Sequence, residues 1–131
     1  MDEKPKNPKS NDLANRRAFI RLSKSLTVHY KLIKNSKVPG EVPNPSDVRA
    51  STKDISAGGL AFYLKQNIPL YSILEIHLVL PDGPEPVVCL AEVVRSRLVE
   101  NTPYCDTAVC FLDLSGRDRQ RLDAFVRAEA R

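Results

Sequence analysis

Two short stretches of the chain hold the side chains best suited to recognition chemistry. "RRAFIR" brings Arg16, Arg17 and Arg21 together, and "DISAGG" sets Asp54, Ser56 and Gly59 beside a second glycine, Gly58. A guanidinium is a planar fork that pairs bidentately with phosphate or with the O6 and N7 edge of guanine, and it stacks on flat rings. Three of them suit a ligand that carries both phosphate and guanine. Asp54 and Ser56 are two apart, so in extended backbone they face the same way. Adjacent glycines allow positive φ or a close approach of backbone, and the turn amides that follow Ser56 are able to meet an anionic oxygen as a nest. Each stretch also has a plainer reading. Arg17 and Arg21, four apart, suit a solvated helical face, and "DISAGG" suits a glycine-rich hairpin in which Asp54 and Ser56 satisfy turn amides.

Other reactive residues are sparse. His29 and His77 are the only histidines; both fall on the polar face of predicted strands, away from any nucleophile motif. No catalytic residue is assigned, and two histidines with three cysteines show no ligand-pair spacing that indicates a metal. Cys89 and Cys110 lie in apolar runs where a thiol packs as a small hydrophobe, and with Cys105 they are odd in number. No disulfide is expected.

The elements that must position the two stretches follow from periodicity. At 131 residues, 42% hydrophobic and 27% charged, the chain suits one domain with one core. Residues 1–14 are polar and proline-dotted and predict a flexible tail. Residues 15–131 form the domain: an arginine arm over 15–22, a barrel over 26–112 and a helix over 115–130. Strands are expected at Leu26 to Leu32, Val48 to Ile55, from Gly59 through "GLAFYL", at Ile73 to Leu80, at Val87 to about Val99 and at Ala108 to Leu112. Ser115 and Asp118 resemble a capping box ahead of Leu122, Phe125 and Val126 at helical spacing. Six short strands and one helix predict an all-β fold, a small antiparallel barrel covered by a C-terminal helix. No apolar run reaches the roughly 20 residues of a membrane span, and the N-terminus lacks a signal-peptide pattern, so the expected compartment is the cytoplasm. The net charge of +4 tilts the partners towards anions.

With both stretches in this order, the sequence resembles the PilZ domain family of bacterial cyclic di-GMP receptors. The family's Arg-x-x-x-Arg motif, often preceded by another arginine, matches Arg16, Arg17 and Arg21; its Asp/Asn-x-Ser-x-x-Gly motif matches Asp54, Ser56 and Gly59. The resemblance runs from about Asn15 to Arg127 and implies a six-stranded antiparallel PilZ-like β-barrel with a C-terminal α-helix. It implies that Arg17 and Arg21 grip guanine and phosphate of cyclic di-GMP, with Arg16 adding phosphate or stacking contacts. Asp54 would bond the guanine edge or orient an arginine, Ser56 would bond the ligand, and Gly59 would keep the turn open. Arg95 falls where some relatives place a further contact, but no motif assigns it.

The expected function is thus a non-enzymatic sensor with no cofactor and no metal. Its arm folds over the nucleotide, its surface changes, and it signals in trans to an unidentified effector protein. The alternative is a small basic barrel that binds RNA or single-stranded DNA. Such modules stack bases on exposed aromatics; this chain has no Trp, and most of its Phe and Tyr residues are expected to face inward, which makes a nucleic-acid polymer the weaker candidate.

Overall fold

The computed structural model describes residues 19–130. The expected tail, and Arg16 and Arg17 of the arm, lie outside the described residues. Six strands and one helix follow in order: β1 (Thr27–Lys34), β2 (Val48–Ile55), β3 (Gly59–Leu64), β4 (Ile73–Leu78), β5 (Val87–Leu98), β6 (Cys105–Phe111) and α1 (Gly116–Glu129). All strand pairs are antiparallel, and the order β1-β2-β3-β6-β5-β4 closes on itself through β1 and β4. Among the described residues, closure leaves no edge strand to template association.

Alternation builds the core. Val28 and Tyr30, Leu60 and Phe62, Leu74, Ile76 and Leu78, Val87, Ala91 and Val93, and Val109 all point into the barrel and are buried. Each large aliphatic contributes about 1.5–3 kcal/mol by leaving water. Tyr30 and Phe62 meet across the interior with ring centroids 5.6 Å apart at 60°. The Tyr30 hydroxyl donates to Gln66 Oε1 at 2.9 Å, which satisfies the polar tip of a buried ring.

Two bulges alter the alternation. The β2–β3 register shifts between Thr52 and Asp54, and the β5–β6 register shifts between Val93 and Arg95. Each inserts one residue, so that Lys53 and Asp54 are both partly exposed between inward-pointing Thr52 and Ile55, and Val94 and Arg95 both lie outside Val93.

Helix α1 starts as expected: Ser115 Oγ accepts from the Asp118 amide at 3.1 Å. Leu122 and Val126 are buried against the barrel and Phe125 is half-buried. Arg121 fastens the helix to the β4–β5 turn through two bonds to Asp82, at 2.8 and 3.1 Å, and one to the Glu85 carbonyl at 2.8 Å. The Arg121 hydrogen bond holds the Asp82 carboxyl below its ordinary value.

Several boundaries and faces differ from expectation. Strand β6 begins at Cys105, three residues before Ala108, because Cys105 and Thr107 continue the inward row of Val109 and Phe111. Cys and Thr are weak apolar signals in a sequence. Strand β1 runs on to Lys34, whereas β4 ends at Leu78 although Leu80 remains buried. Cys110 is exposed rather than buried, because strand parity turns it outward between Val109 and Phe111. Tyr63, Tyr71 and Tyr104 are also exposed, so three of the four tyrosines depart from the expected inward placement.

The cysteines provide a direct check. Burial pushes the Cys89 thiol up to about 12, with the Asp113 charge adding to the effect. A thiol reagent at mildly alkaline pH is expected to modify Cys110 quickly and to spare Cys89 until denaturant is added. Mass mapping that finds Cys89 labelled first would contradict the inward face of β5.

Candidate functional site

The arm reaches the barrel through one antiparallel bridge. The Leu22 amide donates to the Ile55 carbonyl at 2.8 Å, and the Ile55 amide returns a bond to the Leu22 carbonyl at 2.9 Å. Leu22 packs against the core, and Ile55 is buried. With those two side chains inward, the register sets exposed Arg21 beside Ser56, and Phe19 opposite Gly58. Just beyond, Thr52 secures the chain that leads into β1. Its Oγ1 donates to the Lys24 carbonyl at 2.6 Å and accepts from the Leu26 amide at 2.8 Å.

The "DISAGG" turn follows directly from β2. The Ser56 amide donates to the Gly59 carbonyl at 2.9 Å, and Ser56 Oγ accepts from the Gly58 amide at 3.1 Å. Those two amides are therefore spent within the turn and offer no open nest; in this respect the turn is built as the plainer hairpin reading describes. Neither Gly58 nor Gly59 has positive φ. Both serve close approach instead. A Cβ on Gly59 would collide with the Val109 carbonyl oxygen of β6 and stand 3.3 Å from the Cys110 Cα, while one on Gly58 would meet the Phe19 ring.

Cross-strand register extends this corner into a face. Asp54 pairs with Ala61, Ala61 with Ala108, and Ala108 with Arg95, a row across β2, β3, β6 and β5. The two alanines, Ala61 buried and Ala108 half-buried, separate a carboxylate at one end of the row from a guanidinium at the other. Among the described residues, Asp54 and Arg21 have no ion-pair partner on this face. In the neighbouring row Tyr63 pairs with Asp106, and Asp106 with Arg97.

Asp106 is the hub of that second row. Its carboxylate meets Arg95 Nη2 at 3.0 Å, Lys53 Nζ at 3.5 Å and Arg97 Nη2 at 3.5 Å. Lys53 also lies 5.2 Å above the Tyr63 ring. Burial raises the Asp106 carboxyl, but the Arg95 hydrogen bond and the charges of Arg95 and Lys53 outweigh it, so the net shift is downward from 3.8. A carboxylate with a lowered folded value adds stability above its unfolded value and loses it as pH falls through the folded one. Asp106→Asn is expected to cost about 1–2 kcal/mol near neutral pH and almost nothing in strong acid, where both forms are uncharged. Urea melts of the two proteins against pH check this; a constant difference would remove the ion-pair explanation. Arg95 Nε is buried without a hydrogen-bond partner, so the guanidinium that Asp106 holds retains one donor facing no protein acceptor.

Sequence reasoning missed Lys53, Tyr63, Arg97 and Asp106, and it left Arg95 unassigned. The available signal was Asp106 within the otherwise uncharged "CDTAVCF", since a carboxylate at a strand position among apolar residues needs cationic neighbours. The two bulges concealed which neighbours those were.

The histidines sit elsewhere. His29 and His77 pair across β1 and β4, beside a depression of about 420 Å³, and each is hydrogen-bonded to a carboxylate at 3.2 Å, Asp47 and Glu75 respectively. Among the described residues no three His, Cys, Asp or Glu side chains converge to hold a metal ion, and no helix is long and apolar enough to cross a membrane.

Comparison with known proteins places this arrangement. The family model described as "PilZ domain" matches residues 15–128. Among solved structures, the Bacillus subtilis inhibitor of motility MotI/DgrA superposes with a TM-score of 0.70 at 19% identity over 88% of this chain. This chain spans about half of that protein, 51% of its length. The PilZ domain of Escherichia coli YcgR, determined with c-di-GMP, superposes with a TM-score of 0.57 at 17% identity, over 88% of this chain and 95% of that one. No curated protein matches the sequence.

Proposed function

The chain belongs to the PilZ domain family, and from that premise we propose that it is a receptor for cyclic di-GMP that binds the nucleotide on the outer face of β2, β3, β6 and β5 and passes the signal to a partner protein. PilZ domains are binding and adaptor modules, and a similar fold from YcgR is a structure with c-di-GMP. The observation that carries the reading is the Leu22–Ile55 bridge. It brings the arm's Arg21 to Ser56, so two motifs more than 30 residues apart in sequence share one corner.

On this reading Arg21 takes a phosphate or a guanine edge with its fork. Asp54 accepts from the guanine N1 and N2 donors or orients an arginine, while Ser56 adds a hydroxyl contact. Arg16 and Arg17, outside the described residues, enter as members of the same motif. Gly59 contributes by letting β3 and β6 close beneath the turn. Arg95 joins the site as an additional anion contact, since its side chain is 31% exposed and stands at the far end of the row that begins at Asp54. An arm held at the site by ligand presents a different surface from one that is not, and a partner in trans reads that difference.

Isothermal calorimetry with cyclic di-GMP tests the reading. Binding near micromolar, about −8 kcal/mol, is expected, with GMP much weaker because it offers one guanine and one phosphate. Exposed Tyr63, Tyr71 and Tyr104 are the stacking surfaces that an RNA or single-stranded DNA binder would use. Silence with cyclic di-GMP together with oligonucleotide binding that falls steeply with salt would give that alternative the function.

A further inference from the structure

Phe19 lies between the arginines of the arm in sequence, and two residues hold it. Beneath it is Gly58: a Cβ there would come within 2.9 Å of the Phe19 Cδ2 and 3.1 Å of its Cε2. The ring thus occupies the space a side chain would fill, which gives Gly58 a purpose that the Asp-x-Ser-x-x-Gly spacing does not assign. Above it is Arg119, from the first turn of α1, with its guanidinium carbon 5.6 Å from the ring centroid. The same guanidinium donates through Nη1 to the carbonyl of Ala57 at 2.9 Å. Ala57, buried, and Gly58 are the middle of the "DISAGG" turn. One helix residue therefore grips both the turn and the ring lying on it.

We propose that Phe19, Gly58 and Arg119 form a latch that docks the arm before ligand arrives, with Phe19 and Arg119 acting as positioning residues for Arg21. The proposal rests on the cyclic di-GMP reading for its effect on binding, but the latch itself does not need ligand. The Leu22–Ile55 bridge alone would leave residues 19–21 free to pivot about a single point of attachment. A second attachment at Phe19 sets the direction of the intervening backbone, and Arg21 lies between the two. Ordering those residues in advance removes a conformational cost that ligand would otherwise meet at the moment of binding.

The latch also ties α1 to the site. Arg121 fastens the helix to the β4–β5 turn through Asp82, and Arg119, two residues before it, extends that fixed point to the arm. By reciprocity, a ligand that secures the arm also secures the first turn of α1, and a partner that displaces this turn weakens ligand binding by the same factor.

Two bonded amides, Leu22 and Ile55, report the docked arm directly. In the protein without ligand, Phe19→Ala and Arg119→Ala are each expected to speed hydrogen exchange at Leu22 at least fivefold, while Phe62 in the core and the melting temperature remain as in the parent. Gly58→Ala, which displaces the ring without removing a ligand contact, is expected to do the same. In calorimetry with cyclic di-GMP, each variant is expected to bind about five- to twentyfold more weakly, and Phe19→Ala/Arg119→Ala no more weakly than either alone, because the two residues act as one unit. Unchanged Leu22 exchange in both single variants would refute the latch, whatever the nucleotide does. Faster exchange with unchanged affinity would refute its positioning role. Faster exchange in a protein whose parent does not bind cyclic di-GMP would sustain the latch and remove the ligand reading.

Discussion

Gly59→Ala is expected to lower the folding stability of the protein by about 3 kcal/mol, the upper end of what overpacking usually costs. The added methyl group would meet backbone, not a flexible side chain: the Val109 carbonyl oxygen first, then the Val109 carbonyl carbon at 3.1 Å and the Cys110 Cα at 3.3 Å. Backbone in a closed barrel cannot yield locally, because Gly59 pairs with Cys110 at the start of the β3–β6 ladder and the Phe111 amide bonds the Gly58 carbonyl at 3.0 Å. Chemical denaturation should show the midpoint falling at constant slope. A variant as stable as the parent, with weaker nucleotide binding alone, would mean that Gly59 serves the ligand and not the strand junction.

Arg21→Ala carries the opposite signature. Arg21 is exposed and, among the described residues, has no ion-pair partner, so its removal should leave the melting temperature within experimental scatter. Loss of a charge-assisted contact should weaken cyclic di-GMP binding by about 1.5–3 kcal/mol, roughly ten- to hundredfold. Arg21→Lys should recover only part of this, because an ammonium keeps the charge but not the planar fork. Calorimetry on all three proteins separates the possibilities, and an affinity unchanged by Arg21→Ala would exclude the arm from recognition. The pair of variants, Gly59→Ala on stability and Arg21→Ala on affinity, thus distinguishes two residues that the two motifs assign to one site.

Much of the barrel was legible from period-2 patterning, since "ILEIHL" and "GLAFYL" announce strands whose apolar faces can only be satisfied by burial. The Ser115 cap was legible for an equally local reason: a hydroxyl three residues ahead of an orphan helix amide has one obvious use. Strand β6 was half hidden, because Cys105, Asp106 and Thr107 carry no strong signal until their neighbours on β3 and β5 are known. Asp106 shows the same limit in the site. Its three cations come from β2 and β5, and two bulges decide that Lys53 and Arg95 face outward to reach it.

The sequence by itself determined the kinds of interaction available to this protein: guanidinium forks in the arm, a carboxylate and a hydroxyl two apart, paired glycines, and strands and a helix to carry them. Those follow from local chemistry and periodicity, which are properties of neighbouring residues. Only the tertiary structure decided that the glycines exist for close approach and not for positive φ, one receiving the Val109 carbonyl and the other the Phe19 ring. It alone joined the arm to the turn through Leu22 and Ile55, and the helix to both through Arg119. The reason is physical: those contacts link residues separated by tens of positions, and their geometry exists only after the barrel has closed and the bulges have set which side chains face out.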